Sequence, residues 1–263
     1  MENKIAVVTG GSGGIGRCTA AALRDAGCTV YELSRRDVVA EGIVHITADV
    51  TDESQVRSAI ENIIARESRI DILVNNAGFG ISGAFETTES EAAHRLMEVN
   101  LFGMNNMIRA ALPHMRAQKS GTIVNLSSVA AIFPIQFQAW YSISKAAVRA
   151  LSMAVSNEVR PYGVQVCCVL PGDIKTGFTA AREKSDAGDT SYGGRISKSV
   201  ARMERDEQNG MDPAVAGKFI ANVALKKNPA PQYTIGGMYK AFALLYRILP
   251  GRLVRFILGK MYG

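Results

Sequence analysis

The 263-residue sequence lacks any apolar run of the roughly 18 residues that a helix needs to cross a bilayer. The first apolar strand is predicted to begin by Lys4 or Ile5, which leaves no room for a secretory leader. There is no internal repeat and no low-complexity linker, and the hydrophobic fraction of 47% is ample for a core. We therefore expect a soluble, cytoplasmic protein with one α/β domain over residues 1–263.

Cysteine and histidine are scarce, and neither is spaced as metal ligands usually are. The four cysteines are predicted in the first helix (Cys18), at the start of the second strand (Cys28) and within one later strand (Cys167 and Cys168). Adjacent residues of a strand point to opposite faces, so the last two are poor partners for each other or for one metal. The three histidines are scattered: His45, His94 and His114. We expect buried, reduced thiols and no metal site.

Acidic residues are absent from the end of the sequence. Residues 233–263 contain five basic side chains and no acid, so this segment carries most of the net charge of +6. The basic residues are Lys240, Arg247, Arg252, Arg255 and Lys260. The rest of the chain is nearly balanced and shows no interleaving of basic and aromatic residues, which argues against nucleic acid as a partner.

Apolar segments typical of strands alternate with helical patterns along the chain. The segments are IAVVT, TVYELS, IVHITA, DILVNN, GTIVNLSS and GVQVCCVL, with a last short strand near QYTIG. Strands that are apolar throughout and separated by helices indicate a parallel sheet covered on both faces. We predict a Rossmann-like, doubly wound α/β fold in three layers (α/β/α), with ligands at the carboxyl ends of the strands.

One polar segment interrupts this pattern. Residues 176–211 are charged and contain several glycines, and they follow the carboxyl end of a predicted strand. An insertion at this place suits a mobile lid over a substrate. The alternative is an ordinary solvated helix and loop.

The stretch IAVVTGGSGGIG contains glycines that fit two dinucleotide-binding patterns. Gly11, Gly13 and Gly16 fit G-x-G-x-x-G. Gly10, Gly14 and Gly16, preceded by a threonine, fit T-G-x3-G-x-G. Either pattern lets the backbone approach a pyrophosphate at the N-terminus of the following helix. The alternative to nucleotide binding is that these glycines only allow the turn after the strand to pack closely against its neighbours.

The end of the second predicted strand, ELSRRD, indicates which nucleotide is bound. In NAD-binding proteins a carboxylate about 20 residues after the glycines binds the ribose 2′-hydroxyl. Here Ser34 lies at the strand tip and is followed by Arg35 and Arg36, whose guanidinium groups suit a 2′-phosphate. Asp37 lies beyond the tip and keeps NAD(H) open, and ordinary solvent-facing arginines are a further alternative. We favour NADP(H).

A tyrosine, a lysine and a serine supply groups for acid–base chemistry. YSISK places Tyr141 and Lys145 four residues apart on a predicted helix, hence on one face. The pKa of a free phenol is about 10, and a nearby ammonium lowers it towards the range of general acid–base catalysis. Ser128, at the end of GTIVNLSS, can hydrogen-bond a substrate carbonyl. Asn100 interrupts a predicted long helix, which indicates a local kink or a bound water.

Taken in order, these motifs resemble those of the short-chain dehydrogenase/reductase family, whose members have one Rossmann-like domain. The matching segments are TGGSGGIG, ADV (48–50), NNAG (75–78), Asn100, the pair Ser127–Ser128, YSISK and PGDIKT (171–176). They run from residue 9 to residue 176, and the resemblance of the fold extends to about residue 237. The downstream motifs favour the pattern of Gly10, Gly14 and Gly16.

The resemblance implies a role for each matched position. Tyr141 is the expected catalytic acid/base, and Lys145 is its ribose-binding partner. Ser128 is expected to hold the substrate oxygen beside Tyr141, and Asn100 to support a water-linked proton relay. The expected cofactor-binding residues are Gly10, Ser12, Gly14, Ile15, Gly16, Ser34, Arg35, Arg36, Asp49, Val50, Asn76, Ala77, Gly78, Tyr141, Lys145, Pro171, Gly172, Ile174 and Thr176. Homodimers or homotetramers formed through the YSISK helix are common in the family.

Residues 238–263, the tail, depart from the many family reductases that end soon after their last strand. Apolar residues recur at helical spacing on both sides of Pro250 and Gly251, among basic residues. Such an amphipathic extension can cover the substrate cleft, form a subunit contact, lie on an anionic membrane surface or simply pack on its own domain. The tail is similar to those of family members that act on steroids and retinoids.

The leading hypothesis is an NADP(H)-dependent oxidoreductase that interconverts a secondary alcohol and a ketone on a bulky apolar molecule such as a steroid or retinoid. A 3-oxoacyl thioester reductase and a general carbonyl reductase are the enzymatic alternatives. A non-catalytic nucleotide-binding protein would be free to lose Tyr141, Lys145 or Ser128, and all three are present. The remaining hypothesis is a different class of protein, a scaffold that binds a membrane surface through the basic tail.

Overall fold

The sheet occupies the centre of the computed structural model, which describes residues 3–38 and 40–262 apart from the Arg247 side chain. Within those residues the strands are β1 Ile5–Thr9, β2 Thr29–Ser34, β3 Ile43–Thr47, β4 Ile72–Asn75, β5 Ile81–Ser82, β6 Gly121–Leu126, β7 Val164–Pro171, β8 Glu183–Lys184 and β9 Gln232–Ile235. Seven of them form one parallel sheet in the order β3-β2-β1-β4-β6-β7-β9, and β5 pairs with β8 separately. The strand order reverses direction between β1 and β4, which is where ligands of such sheets bind.

The helices of the described residues flank this sheet or extend beyond it. They are α1 Gly14–Asp25, α2 Glu53–Glu67, α3 Ser90–Met97, α4 Met104–Gln118, α5 Ala139–Val159, α6 Phe178–Ala181, α7 Arg195–Gln208, α8 Pro213–Ala224, α9 Gly237–Ile248 and α10 Gly251–Tyr262. A π-helical segment, Glu98–Gly103, joins α3 to α4, and single 3₁₀ turns span Phe85–Thr87, Val129–Ala131 and Arg160–Tyr162. None of the described helices is both long and apolar enough to span a bilayer.

Both faces of the sheet are covered, which explains why its strands are apolar throughout. Val7 of β1 packs in the core beneath α2, α4 and α5, whereas its neighbour Val8 packs in the core beneath α1 and α8. Cys168 and Cys167 are divided between the same two layers, and all four thiols are free. The predicted three-layer, doubly wound fold is confirmed. One boundary differs, because Cys28 precedes β2 and its N–H closes the end of α1 on the Leu23 carbonyl (3.1 Å).

Side-chain caps set the start of two helices in the outer layers. The Asp52 carboxylate accepts hydrogen bonds from the amides of Ser54 (2.9 Å) and Gln55 (3.1 Å) at the N-terminus of α2. Asp212 accepts from the Ala214 amide (2.7 Å), and Pro213 occupies the first turn of α8, where its missing N–H costs nothing. Each such cap stabilises a helix by about 1 kcal/mol.

The polar segment predicted as a lid is folded as α6, β8 and α7. Its strand β8 pairs with β5, and a buried ion pair joins Arg182 to Glu207. Asp189 caps α7 by accepting from the Ile196 amide (2.8 Å), and the Thr87 hydroxyl donates to the Ala187 carbonyl (3.0 Å). The segment is therefore held to the body of the protein by specific contacts. Its movement during turnover stays a prediction.

Candidate functional site

The glycine loop at the carboxyl end of β1 forms one end of the site. Gly10 (φ +67°) and Gly14 (φ +51°) adopt left-handed conformations that other L-residues rarely adopt. A Cβ on Gly16 would collide with the Gly10 carbonyl oxygen, so no side chain fits there. Gly13 is extended (φ −170°), a conformation open to any residue. The backbone thus favours the T-G-x3-G-x-G pattern, while Gly11 is needed because it packs on a glutamate of β2.

This loop is fastened to the NNAG loop that follows β4. The Thr9 hydroxyl oxygen accepts hydrogen bonds from the amides of Asn76 (3.0 Å) and Ala77 (3.1 Å). In return, the Asn76 side-chain nitrogen donates to the carbonyls of Thr9 (3.1 Å) and Gly10 (3.2 Å). The result is a rigid backbone cradle without side chains at the start of α1. Such a cradle fits the pyrophosphate of a dinucleotide.

Two guanidinium groups lie beyond the glycine loop, at the end of β2. Arg36 Nη2 donates to Ser12 Oγ (3.0 Å), and the exposed Arg35 lies 3.8 Å from the Asp49 carboxylate. Ser34 is buried at the strand tip, where its hydroxyl donates to the Arg36 carbonyl (3.1 Å). Asp37 points away, with 84% of its side chain exposed. This end of the site presents cations where the ribose 2′ position of a dinucleotide is expected.

The acid–base residues meet at the carboxyl end of β6. Lys145 Nζ donates to the Leu126 carbonyl (3.0 Å) and lies 5.8 Å from the centre of the Tyr141 ring. The Ser127 hydroxyl donates to the Lys145 carbonyl (2.7 Å), which ties α5 to the strand end. The Ser128 side chain hydrogen-bonds Tyr141 and also accepts from the Ala130 amide (3.1 Å). Serine, tyrosine and lysine therefore form one group, as their order in the sequence predicted.

The electrostatics of this group differ from the expectation. Burial raises the pKa of Tyr141 to about 12, and the hydrogen bond from Ser128 offsets only part of that rise. Burial lowers the pKa of Lys145 to about 8. The expected lowering of the tyrosine pKa by the lysine is wrong for this structure. The physical reason is that the half-buried phenol packs against Phe178 (ring centres 5.7 Å apart), while the Lys145 ammonium is directed at a backbone carbonyl.

Asn100 lies in the π-helical segment between α3 and α4, so the helix is indeed distorted at this position. Its side chain is fully buried, and its oxygen accepts from the Phe79 amide (3.0 Å). Its nitrogen donates to the Phe79 carbonyl (3.0 Å) and to Ser144 Oγ (3.1 Å). Both N–H donors are therefore engaged in holding the NNAG loop to α5. The proton-relay role stays a prediction.

A cavity of about 1570 Å³ connects these groups. It is lined by every residue that the sequence predicted for the site except Gly16 and Asn100, which lie buried behind its surface. Loop 171–176 closes one side, with Thr176 Oγ1 accepting from the Phe178 amide (3.1 Å). Among the described residues, no group of three or more His, Cys, Asp or Glu side chains is arranged to hold a metal ion.

The far end of the cavity is formed by side chains that sequence reasoning did not name. We call this set the apolar wall: Phe133, Ile135, Phe178, Phe242, Leu245, Tyr246, Leu249, Val254, Ile257, Leu258 and Met261. Most of them belong to α9 and α10, so the tail covers the cleft, which was one of its predicted roles. Helical recurrence of large apolar residues in the tail was the available signal. Phe133 and Phe178 gave none, because Phe133 lies in a loop and Phe178 begins α6, which is too short to show a period.

Asp173, in the loop after β7, is a further residue of the site to which the sequence motifs assign no role of its own. The Tyr239 hydroxyl donates to its carboxylate, and the Tyr239 ring lies against Gly172, where a Cβ would collide with it. Burial raises the pKa of the Asp173 carboxyl, and the hydrogen bond from Tyr239 opposes that rise. The contact joins the loop after β7 to the first turn of α9.

Comparison with known proteins assigns the family. Residues 4–187 match the family described as short chain dehydrogenase. The chain belongs to the short-chain dehydrogenase family. It is thus an NAD(P)-dependent oxidoreductase that acts on CH–OH or keto groups, and the family predicted from the motifs is confirmed.

Three individual proteins extend this result. The chain is 37% identical to a 3-ketodihydrosphingosine reductase of Bacteroides thetaiotaomicron, over 100% of this chain and 99% of the relative. A crystal structure of a short-chain dehydrogenase from Streptomyces avermitilis has a TM-score of 0.84 and 32% identity, and the match covers 99% of this chain and 96% of that one. A short-chain dehydrogenase from Burkholderia cenocepacia in complex with NADP has a TM-score of 0.73 and 29% identity, with 92% of each chain covered. The finer resemblance to steroid and retinol dehydrogenases gains no support from these proteins.

Proposed function

We propose that this dehydrogenase uses NADP(H) to interconvert a ketone and a secondary alcohol on a long or bulky apolar molecule, with a long-chain ketone of the 3-ketodihydrosphingosine class as the first substrate to test. The observation that carries the proposal is the continuity of one cavity from the glycine cradle, past Tyr141, to the apolar wall. The relative named for this ketone matches the whole chain, tail included. We therefore rank a long-chain ketone above the steroids and retinoids that the tail first suggested.

The preference for NADP(H) rests on the charge at the end of β2. Arg35 and Arg36 face the cavity, and each can donate charge-assisted hydrogen bonds to a 2′-phosphate. Asp37, the one carboxylate that would favour NAD(H), points to solvent. The NADP complex of the Burkholderia relative supports the same choice. NAD(H) is the alternative that the cofactor assay distinguishes.

The protein groups divide the chemistry among them. NADP(H), when bound, supplies or accepts the hydride at the carbonyl carbon. The Tyr141 hydroxyl gives its proton to the carbonyl oxygen during reduction, while Ser128 donates a hydrogen bond to the same oxygen and stabilises the developing alkoxide. A phenol whose pKa is about 12 is protonated at neutral pH, which is the form that reduction requires. We assign the binding of the ribose hydroxyls to Lys145, whose ammonium lies at the end of β6.

A homo-oligomer in the cytoplasm completes the proposal. Apolar side chains of the π-helical segment and of α5 are exposed: Phe102, Ile143 and Met153. Ile143 and Met153 lie on α5, which contains YSISK, the helix through which members of the family commonly associate. Four free thiols support a reducing compartment. Sedimentation of the purified chain distinguishes a dimer or tetramer from a monomer, and a monomer at micromolar concentration would contradict this part.

A substrate panel tests the proposed reaction. The purified chain is assayed with NADPH and NADH in parallel on 3-ketodihydrosphingosine, a steroid ketone, a retinoid, a short-chain ketone and a 3-oxoacyl thioester. We expect the highest kcat/KM for the long-chain ketone with NADPH. A higher value for the acyl thioester or for the short ketone would replace the proposed substrate class, and equal rates with NADH would remove the cofactor preference.

A further inference from the structure

The helices of the tail carry apolar side chains on two sides. A helix at a protein surface usually has one apolar face towards the core and one polar face towards water. One side lines the cavity through residues such as Phe242 and Leu258. The other side faces solvent and carries Leu244 (61% exposed), Ile248 (71%) and Phe256 (62%), none of which lines the main cavity. Leu244 and Ile248 are four residues apart in α9 and therefore share one face of that helix, and exposed apolar patches mark sites of interaction. The inner side is accounted for by the cavity, and the outer side is not.

Charge identifies the chemistry of the missing partner. The exposed basic side chains beside this outer face are Lys240, Arg252, Arg255 and Lys260. Residues 233–263 contain no acid that could neutralise them. Exposed apolar side chains beside cations, in a segment that has no acid of its own, match the boundary between acyl chains and anionic headgroups of a bilayer.

The length of the helices determines how they can meet a bilayer. Each has 12 residues, so each is about 18 Å long, well short of the hydrocarbon thickness of about 30 Å. They are joined by Leu249 and Pro250. Amphipathic helices of this length lie in the interface with one face of each buried, and neither spans the membrane.

We propose that the outer face of the tail, defined by Leu244, Ile248, Leu253 and Phe256 with the four basic residues beside them, docks on an anionic lipid bilayer. Docking brings the apolar end of the cavity to the acyl-chain region. Leu245, Tyr246 and Ile257 line the cavity and are partly exposed, so the apolar end of the cavity is accessible to solvent beside the tail. The delivery of an apolar substrate from the bilayer rests on the proposed function, whereas the docking itself does not.

Vesicle sedimentation with matched variants tests the docking. The full chain is mixed with vesicles of phosphatidylcholine alone or with one third phosphatidylglycerol, at low and high salt. We expect at least about tenfold stronger binding to the anionic vesicles, and a loss of that binding at high salt. The double variant Leu244→Ser/Ile248→Ser loses at least about tenfold. The control Val44→Ser/Val215→Ser, which removes exposed valines of β3 and α8, binds as the wild type does.

A second pair of variants separates charge from apolar contact. Arg252→Gln/Arg255→Gln weakens binding to anionic vesicles and reduces its salt dependence, whereas Arg57→Gln/Arg160→Gln, in α2 and in the turn after α5, leaves both unchanged. Turnover of a short, water-soluble ketone is measured for every variant and stays at the wild-type value, which shows that each is folded. Equal vesicle binding by the tail variants and their controls would overturn the proposal.

Two further outcomes are informative. If the tail variants change only the sedimentation of the protein without lipid, the outer face is a contact between copies of the chain and the proposal fails. If the wild type binds vesicles through the tail but reduces no ketone, the proposed function fails and the docking stands. The two conclusions are therefore tested independently.

Discussion

The cavity has two halves that are built in different ways. One is the carboxyl end of the sheet with the glycine loop, the NNAG loop, Ser128, Tyr141 and Lys145, which we call the sheet edge, and the other is the apolar wall. At the sheet edge, the Thr9 hydroxyl oxygen accepts a hydrogen bond from the Asn76 amide, and the side chains of Asn76 and Ser127 donate to backbone carbonyls, which holds loops from separate strands at fixed positions. At the apolar wall, Phe133 meets the rings of Phe242 (centres 6.4 Å apart) and Tyr246 (5.4 Å) without any polar contact. Directional bonds hold the groups that react, and non-directional packing surrounds the part of the substrate that does not react.

This difference teaches what each half controls. A group that donates a proton or a hydrogen bond to the reacting atoms works only when it is held at the right position, so removing it slows the chemical step itself. An apolar surface acts through buried area, so its loss is graded with the size of the molecule that it covers. Substitutions at the sheet edge should therefore change turnover for all substrates. Substitutions at the apolar wall should change the choice among substrates.

The largest effect is expected for Tyr141→Phe. Removing the hydroxyl removes the proton donor, so turnover falls by at least about 10²-fold, the lower range for a general acid. NADPH binding, followed by its fluorescence, stays within twofold of the wild type. The control Tyr162→Phe, which alters an exposed tyrosine far from the cavity, keeps full activity. Near-normal turnover in Tyr141→Phe would contradict the assignment of Tyr141 as the proton donor.

A smaller and more selective effect is expected for Arg36→Ala. A charge-assisted hydrogen bond contributes about 1.5–3 kcal/mol, so the Kd for NADPH rises about 10-fold to 100-fold. The Kd for NADH changes little because NADH has no 2′-phosphate. Fluorescence titration with both nucleotides measures this split, and Arg57→Ala is the matched control. An equal loss for both nucleotides would show that Arg36 acts on the fold rather than on the phosphate.

The apolar wall is tested by Phe242→Ser. Burial of one large apolar side chain contributes about 1.5–3 kcal/mol, so kcat/KM for a long-chain ketone falls about tenfold or more. The same constant for a short, water-soluble ketone stays unchanged. Ile248→Ser, on the outer side of the same helix, serves as the control in an assay without vesicles. A similar loss for long and short ketones would make Phe242 a residue of folding, not of substrate choice.

The smallest effect concerns the titration of Tyr141 without added nucleotide. Its raised pKa of about 12 means that no phenolate forms there between pH 7 and about pH 10. The native state keeps a proton that the unfolded chain loses from about pH 10, so the free energy of unfolding falls as the pH rises from there to about 12. The near-ultraviolet difference between wild type and Tyr141→Phe reports the phenolate directly. A phenolate signal near pH 7 would restore the original expectation of a lowered pKa.

Local patterns in the sequence predicted the sheet edge well. Glycine spacing predicted the cradle at Gly10 and Gly14, and helical spacing placed Tyr141 and Lys145 on one face, because each of these is a short-range property of the chain. The same residues did not predict the pKa of Tyr141. That value depends on burial by side chains such as Phe178, which is distant in sequence and begins the four-residue helix α6.

Contacts over long sequence distances also explain the other differences. The pairing of β5 with β8 involves two residues on each side, too few for a periodic signal, and it joins the segment predicted as a lid to the body of the protein. The bond from Tyr239 to Asp173 joins the tail to the loop after β7, and no spacing rule connects them. The sequence marked Asn100 as an unfavourable residue inside a helix. Its hydrogen bonds with the backbone of Phe79 could not be predicted, because the two residues meet only in the folded chain.

The most direct test of the two-part cavity is a series of straight-chain ketones of increasing length, assayed with NADPH on the wild-type enzyme. The chemistry at the carbonyl is the same throughout the series, so only contact with the apolar wall changes. We predict that kcat/KM rises with each added pair of methylene groups until the cavity is filled. A value that is flat, or that falls from the shortest member onwards, would contradict the account.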